Sequence, residues 1–126
     1  MKIPKELKYT KDHEWISLDG QIATVGITDF AQRELGDIVY VEVETVGEAL
    51  EADDVFGTVE AVKTVSDLFL PVSGKVIEIN ESLEDSPELI NEDPYEKGWI
   101  IRMEIENLEE LKDLLDSESY KKLIGA

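Results

Sequence analysis

The sequence contains no cysteine, which excludes disulfides, thiolate metal centres and cysteine nucleophiles. It has a single histidine, His13, so a multi-histidine metal site is excluded too. His13-Glu14 opens like a zincin motif, but the position four after His13 is Ser17, where that motif needs a second histidine. The histidine therefore reads as an ordinary buried or exposed side chain and not as a metal ligand. Positive charge is scarce: 12 Lys and Arg stand against 30 Asp and Glu, a formal net charge of -18. Such a surface repels phosphate backbones and argues against nucleic acid as a partner. It suits docking onto basic protein surfaces, or serves solubility alone. No apolar run approaches the ~18 residues of a membrane-spanning helix. The start, Met1-Lys2-Ile3-Pro4-Lys5-Glu6, carries neither an apolar signal segment nor an Arg-rich transit peptide. A cytoplasmic protein with no membrane partner is expected.

What is present is enough for a core: 42% of the residues are hydrophobic, and the acids are interspersed with them instead of forming a tail, so the chain is not expected to be disordered. The length fits one domain, 1–126. Short alternating segments dominate. Trp15–Leu18 and Gln21–Gly26 flank Asp19-Gly20, a strong two-residue hairpin signal. Ile38–Glu44 alternates with its valines on one face, Val72–Ile79 reads as a strand whose Gly74 suggests a bulge, and Trp99–Ile105 puts Trp99, Ile101, Met103 and Ile105 on one face. Helices are few. Asp29 with Gln32 predicts a capping box and Gly36 a stop; Ser86-Pro87 predicts another helix start. Asn107 with Glu110 predicts a second capping box, followed by an apolar stripe of Leu108, Leu111, Leu114 and Leu115 that would dock on the sheet. The pattern predicts a mainly β sandwich or barrel with a core over about 8–106 and a helical segment over about 107–124.

One stretch departs from local rules. Val55–Leu70 is too long for a strand of about 5–6 residues, yet Ala61 to Val65 contains no glycine, proline or asparagine with which to turn. Such inconsistencies mark functional places. Lys63 lies in this stretch and is isolated by charge: between Arg33 and Lys63 there are nine acids and no Lys or Arg.

Glu60-Ala61-Val62-Lys63-Thr64-Val65-Ser66-Asp67, followed by Pro71-Val72-Ser73-Gly74-Lys75-Val76, resembles the lipoyl-attachment segment of the glycine cleavage H-protein family. His13-Glu14-Trp15, Ala23–Asp29 and Leu35-Gly36-Asp37-Ile38-Val39 resemble the family's N-terminal half; Asn80–Leu83, Leu89-Ile90-Asn91 and Pro94–Trp99 resemble its C-terminal half. The resemblance runs from about Lys8 to the C-terminal helices. Ala61 stands where serine is common, Val65 replaces a small residue, and Thr45-Val46-Gly47 lacks a proline often found there.

The resemblance implies a lipoyl/biotinyl-type barrel-sandwich hybrid with short peripheral helices and a C-terminal helix, carrying lipoate covalently on Lys63. It also implies the partners: a pyridoxal-phosphate glycine decarboxylase, a tetrahydrofolate-dependent aminomethyltransferase, the FAD enzyme dihydrolipoyl dehydrogenase, and a lipoate-attaching enzyme. The chain would be a carrier and not a catalyst, with Glu14 and Asp67 as candidate contacts to the amine of the aminomethyl cargo and Trp15 as core or shield. A biotin carrier is a poorer match, because Val62 and Thr64 flank Lys63 where methionines are usual. An H-like protein acting mainly as a lipoyl donor to other proteins would share the Lys63 site. If the acidic surface steers docking, association with the partner enzymes, followed by stopped-flow, slows as salt rises, because charges are screened beyond about 8 Å at physiological ionic strength. A rate indifferent to salt would leave the acids as a solubility device.

Overall fold

The computed structural model describes residues 1–126. Strands β1 (Lys8–Tyr9), β2 (Glu14–Asp19) and β3 (Ile22–Ile27) lead into α1 (Asp29–Leu35), β4 (Ile38–Glu42) and the two-residue β5 (Ala49–Leu50). Then come β6 (Val55–Ala61), β7 (Val65–Phe69), β8 (Gly74–Ile79), the one-turn helices α2 (Ser82–Asp85) and α3 (Leu89–Glu92), and β9 (Ile101–Ile105). A 3-10 segment (Leu108–Asp113) and α4 (Ser117–Ile124) complete the chain. The strands form two antiparallel sheets, β1-β2-β3-β9-β8-β5 and β4-β6-β7. A core of 18 buried residues draws on both, so the expected mainly β architecture is present as a sandwich of two separate sheets. No helix is long and apolar enough to cross a membrane.

The sequence patterns are realised with local shifts. In the β2–β3 hairpin Asp19 pairs with Ile22, so Gly20-Gln21 forms the turn, one residue later than expected; Gly20 supplies its positive φ of 64°. On β9, Ile101, Met103 and Ile105 are buried on one face, as alternation requires. On β4 the expected valine face is broken. A register shift between Ile38 and Tyr40 lets Ile38 and Val41 point into the core and leaves Val39 49% exposed. Gly74 is not at a bulge, which falls between Val76 and Glu78. Gly74 is there because a Cβ would come within 2.2 Å of the Glu104 carbonyl oxygen.

Helix ends shift as well. The N-cap of α1 is Thr28, whose side chain accepts from the Ala31 amide, while Gln32 donates to Asp29 within the first turn. Gly36 ends α1 with φ 81°. Ser86-Pro87 separates α2 from α3 instead of starting a helix, since α3 begins at Leu89. The C-terminal segment is not one helix. Asn107 caps the 3-10 turn, but Glu110 does not reach back to it; its carboxylate accepts from the amide and hydroxyl of Ser73. Leu115 bridges to Tyr9, and α4 starts only after Asp116. Of the expected stripe, Leu111 and Leu114 pack on the main core, Leu115 on a second cluster, and Leu108 is exposed.

That second cluster, Leu7, Tyr9, Trp15 and Tyr120, joins the chain's two ends. Trp15 pairs across β2–β3 with Gly26, and its indole N–H donates to the Pro94 carbonyl at 2.9 Å. A Cβ at Gly26 would lie 2.7 Å from the indole ring atoms. The ring is buried and tethered, so it cannot yield. Gly26→Ala therefore costs about 2 kcal/mol of unfolding free energy, the usual size of an overpacking penalty, measured by denaturant titration. Unchanged stability would mean that the indole moves freely.

Candidate functional site

β6 and β7 form the hairpin on which Lys63 sits, with Glu60 paired to Val65. The tip closes through the Ala61 amide donating to the Thr64 carbonyl at 2.7 Å, and the Val62 amide donates outward to the Asp37 carbonyl at 3.0 Å. Among non-glycine residues positive φ is confined to His13 and Asp53. Val62 and Lys63 thus turn without the left-handed conformation that calls for glycine, which explains the absence of turn residues. Lys63 is exposed and takes part in none of the four ion pairs. Below the tip Val59 and Leu68 are buried. Phe69 is only half-buried: Leu68 and Leu70 on either side of it are buried, so the alternation of this strand puts Phe69 on the outer face. The Lys63 stem lies against Gly36, where a Cβ would be 3.5 Å from its Cε.

Beside Gly36 a cleft of about 450 Å³ opens between the start of β2, α1 and the β6–β7 hairpin. The structure brings both candidate acids, Glu14 and Asp67, to its walls, together with Asp12, His13 and Glu34. Phe30, Ala31, Leu35, Val59 and Leu68 supply an apolar lining. Trp15 is not on it; the indole belongs to the second cluster. The wall made by α1 was not apparent from sequence, where that helix showed only through its ends. The spacing of Phe30 and Glu34, one helical turn apart, was the available signal. His13, read as an ordinary side chain, turns out to line the cleft.

The two acids differ in setting. Asp67 is exposed on β7. Glu14 is 2% exposed, and its two oxygens accept from the Thr10 hydroxyl at 3.1 Å and the Phe69 amide at 2.9 Å. No lysine, arginine or histidine pairs with it. Burial pushes Glu14 up from 4.5 to about 8, against the pull of those two hydrogen bonds and with a small push from Asp12 and Asp53. His13 is shifted down by burial, opposed by Asp12 and Glu34. Its Nδ1 lies 2.9 Å from the Tyr120 hydroxyl, and its ring packs 4.9 Å from Phe30.

A carboxyl raised in the folded state contributes stability that is fully present below its unfolded value of 4.5 and lost as pH rises through about 8. Glu14→Gln keeps a neutral acceptor for the Phe69 amide and cannot ionise. Its stability relative to wild type should rise by on the order of 3 kcal/mol between about pH 5 and about pH 9, read from denaturant unfolding. A difference that does not change with pH would mean that Glu14 titrates in the ordinary range.

Comparison with known proteins bears on the whole chain. A family model described as "Glycine cleavage H-protein" matches residues 7–126. The glycine cleavage system H protein of Bacteroides fragilis is 57% identical over 126 residues, covering 100% of both chains. That of Carboxydothermus hydrogenoformans is 57% identical over 122 residues, covering 97% of this chain and 94% of its own. The crystal structure of the glycine cleavage system H protein from Mycobacterium marinum superposes with a TM-score of 0.90 at 38% identity, covering 98% of this chain and 100% of that one. With a family match that spans all but the first six residues and relatives more than half identical end to end, the chain belongs to the glycine cleavage H-protein family.

Proposed function

We propose that the chain is the lipoyl-bearing carrier of a glycine cleavage system, with the lipoyl group in amide linkage to Lys63. The observation that carries this reading is the juxtaposition of an exposed, unpaired lysine on a turn with a cleft that contains a buried carboxylate lacking a cation. An attaching enzyme needs an accessible amine, which Lys63 offers. When bound, the lipoyl group supplies the sulfur that accepts an aminomethyl unit, chemistry that a chain without cysteine cannot supply itself.

The chain's own residues hold and protect. The stem of Lys63 lies against Gly36, next to Leu35 of the cleft wall, and Leu35, Phe30, Val59 and Leu68 offer an apolar path inward. An aminomethyl amine is cationic near neutral pH. Glu14 and Asp67 would accept hydrogen bonds from such an amine, charge-assisted and about twice as strong as neutral ones. Glu14, pushed to about 8 in the empty cleft, ionises when a cation arrives, so loading releases a proton. The apolar wall excludes the water that would otherwise split the unit into ammonia and formaldehyde. The chain catalyses no step. It serves as the shared substrate of the pyridoxal-phosphate decarboxylase, the tetrahydrofolate-dependent aminomethyltransferase and the flavin dehydrogenase, through transient contacts suited to its net charge of -18. All of 1–126 acts as one carrier unit.

Peptide mapping after lipoylation tests the attachment point. The adduct is expected on Lys63 alone, and Lys63→Arg abolishes it, since arginine keeps the charge but cannot form the acyl-lysine amide. An adduct on Lys75, or undiminished lipoylation of the variant, would contradict the assignment. Protection is tested separately by loading the lipoylated chain with the decarboxylase, removing the enzyme and timing formaldehyde release. Glu14→Gln and Asp67→Asn should each release it several-fold faster while still accepting lipoate, and release at the wild-type rate in both would show that neither carboxylate protects.

A further inference from the structure

Tyr120 belongs to α4 and does not line the cleft, yet its hydroxyl touches a residue that does. The phenol is fully buried, with its ring stacked on Tyr9 at 4.8 Å between centroids and 10° between planes. Its oxygen has two partners, Thr28 Oγ1 at 2.7 Å and His13 Nδ1 at 2.9 Å. The hydrogens on this chain of atoms follow from counting donors and acceptors. Thr28 is fully buried, and its Oγ1 already accepts from the Ala31 amide. The one polar atom left to receive the Thr28 hydroxyl hydrogen is the Tyr120 oxygen. Any other placement orphans a buried donor, which costs about 1–3 kcal/mol. Tyr120 therefore accepts from Thr28 and directs its own hydrogen to His13 Nδ1. The neutral imidazole then carries its hydrogen on Nε2.

We propose that Tyr120 is a positioning residue: through the Thr28–Tyr120–His13 hydrogen-bond chain it commits Nδ1 of His13 to accepting, and so keeps this imidazole from becoming the counter-ion of the acids in the cleft. The inference rests on reading the cleft as the holder of a cationic amine. Acids surround His13 there: Asp12 and Glu14 from its own segment, Glu34 from α1 and Asp67 from β7. No lysine or arginine lines the cleft, so His13 is the one side chain in it that could become a cation. An imidazolium needs Nδ1–H as a donor, where Tyr120 already presents a hydrogen. To reverse the chain, Tyr120 would have to donate to Thr28 and leave the Thr28 hydrogen without an acceptor. Burial of the imidazole acts in the same direction. The negative field of the cleft is thus left for the cargo, and the C-terminal segment gains a functional reason to close back over the start of β2.

Tyr120→Phe removes the hydroxyl and keeps the ring stacked on Tyr9. In the lipoate-free chain, nitrogen-15 NMR of His13 should show the Nε2–H tautomer in wild type, and in the variant a mixture of tautomers with a titration midpoint raised by on the order of one pH unit. Thr28→Val, which removes the head of the chain, should shift His13 the same way, and Thr28→Ser should leave it as in wild type. In the loaded chain, Tyr120→Phe should release formaldehyde several-fold faster than wild type near pH 6.5, with the two rates converging near pH 8.5, where the imidazole is neutral in both. Wild-type titration and tautomer of His13 in both Tyr120→Phe and Thr28→Val would overturn the proposal. So would an altered His13 with unaltered release near pH 6.5. A wild-type chain that releases formaldehyde as fast as a free aminomethyl thioether would instead overturn the reading of the cleft, and with it the purpose assigned to Tyr120, while the NMR result would still report on the hydrogen-bond chain alone.

Discussion

The Glu14 carboxylate is buried against two neutral donors, the Thr10 hydroxyl and the Phe69 amide, and no cation of the chain reaches it. Burying such a group is costly unless it is neutralised or paired. The rest of the site is arranged around that constraint. The β1–β2 connection supplies Thr10, and β7 turns an edge amide toward the carboxylate instead of toward another strand. α1 then covers the opening with apolar side chains and Glu34. A fold that only had to be stable would have placed an apolar side chain at position 14. Retaining an acid there, in a cleft walled by the hairpin that presents Lys63, makes sense if the missing partner arrives with the cargo.

The division of labour follows from rigidity. The two sheets share one core, and the Lys63 turn is held at both ends, by its own closing hydrogen bond and by the Asp37 carbonyl of the neighbouring segment. The backbone of the Lys63 turn is therefore fixed, and the freedom of movement lies in the lysine side chain. A carrier that visits several active sites needs this combination of a rigid base and a mobile arm. The second cluster, with Tyr9 stacked on Tyr120, extends the rigidity to the chain's two ends and places the C-terminal helix under His13.

Much of this was legible in the sequence because it rests on period and punctuation. The alternation of Ile101, Met103 and Ile105 gave β9, Gly36 ended α1, and the over-long apolar run marked the Lys63 turn by its lack of turn residues. The departures have local causes. A register shift at Ile38–Tyr40 altered which side chains faced inward, and no periodicity argument anticipates an extra residue in a strand. The capping box at Asn107 failed because Ser73, distant in sequence, offered Glu110 two donors. The acids Glu14 and Asp67 were named through motif resemblance, but that one would be buried and the other exposed is a tertiary fact. The α1 wall was missed for the same reason: a residue's place on a cleft is set by what packs opposite it, here the β6–β7 hairpin.

In the function proposed, Glu14 is held without a counter-ion so that a cationic cargo can provide one. Carbon-13 NMR of the Glu14 side-chain carboxyl, titrated in the lipoate-free chain and again in the amine-loaded chain, addresses it directly. A midpoint near 8 is expected in the empty cleft, the value to which burial pushes it, and an ionised carboxylate throughout the neutral range once the amine is bound. A carboxyl that titrates near 4.5 in the empty cleft, or one whose midpoint is unmoved by loading, would contradict it.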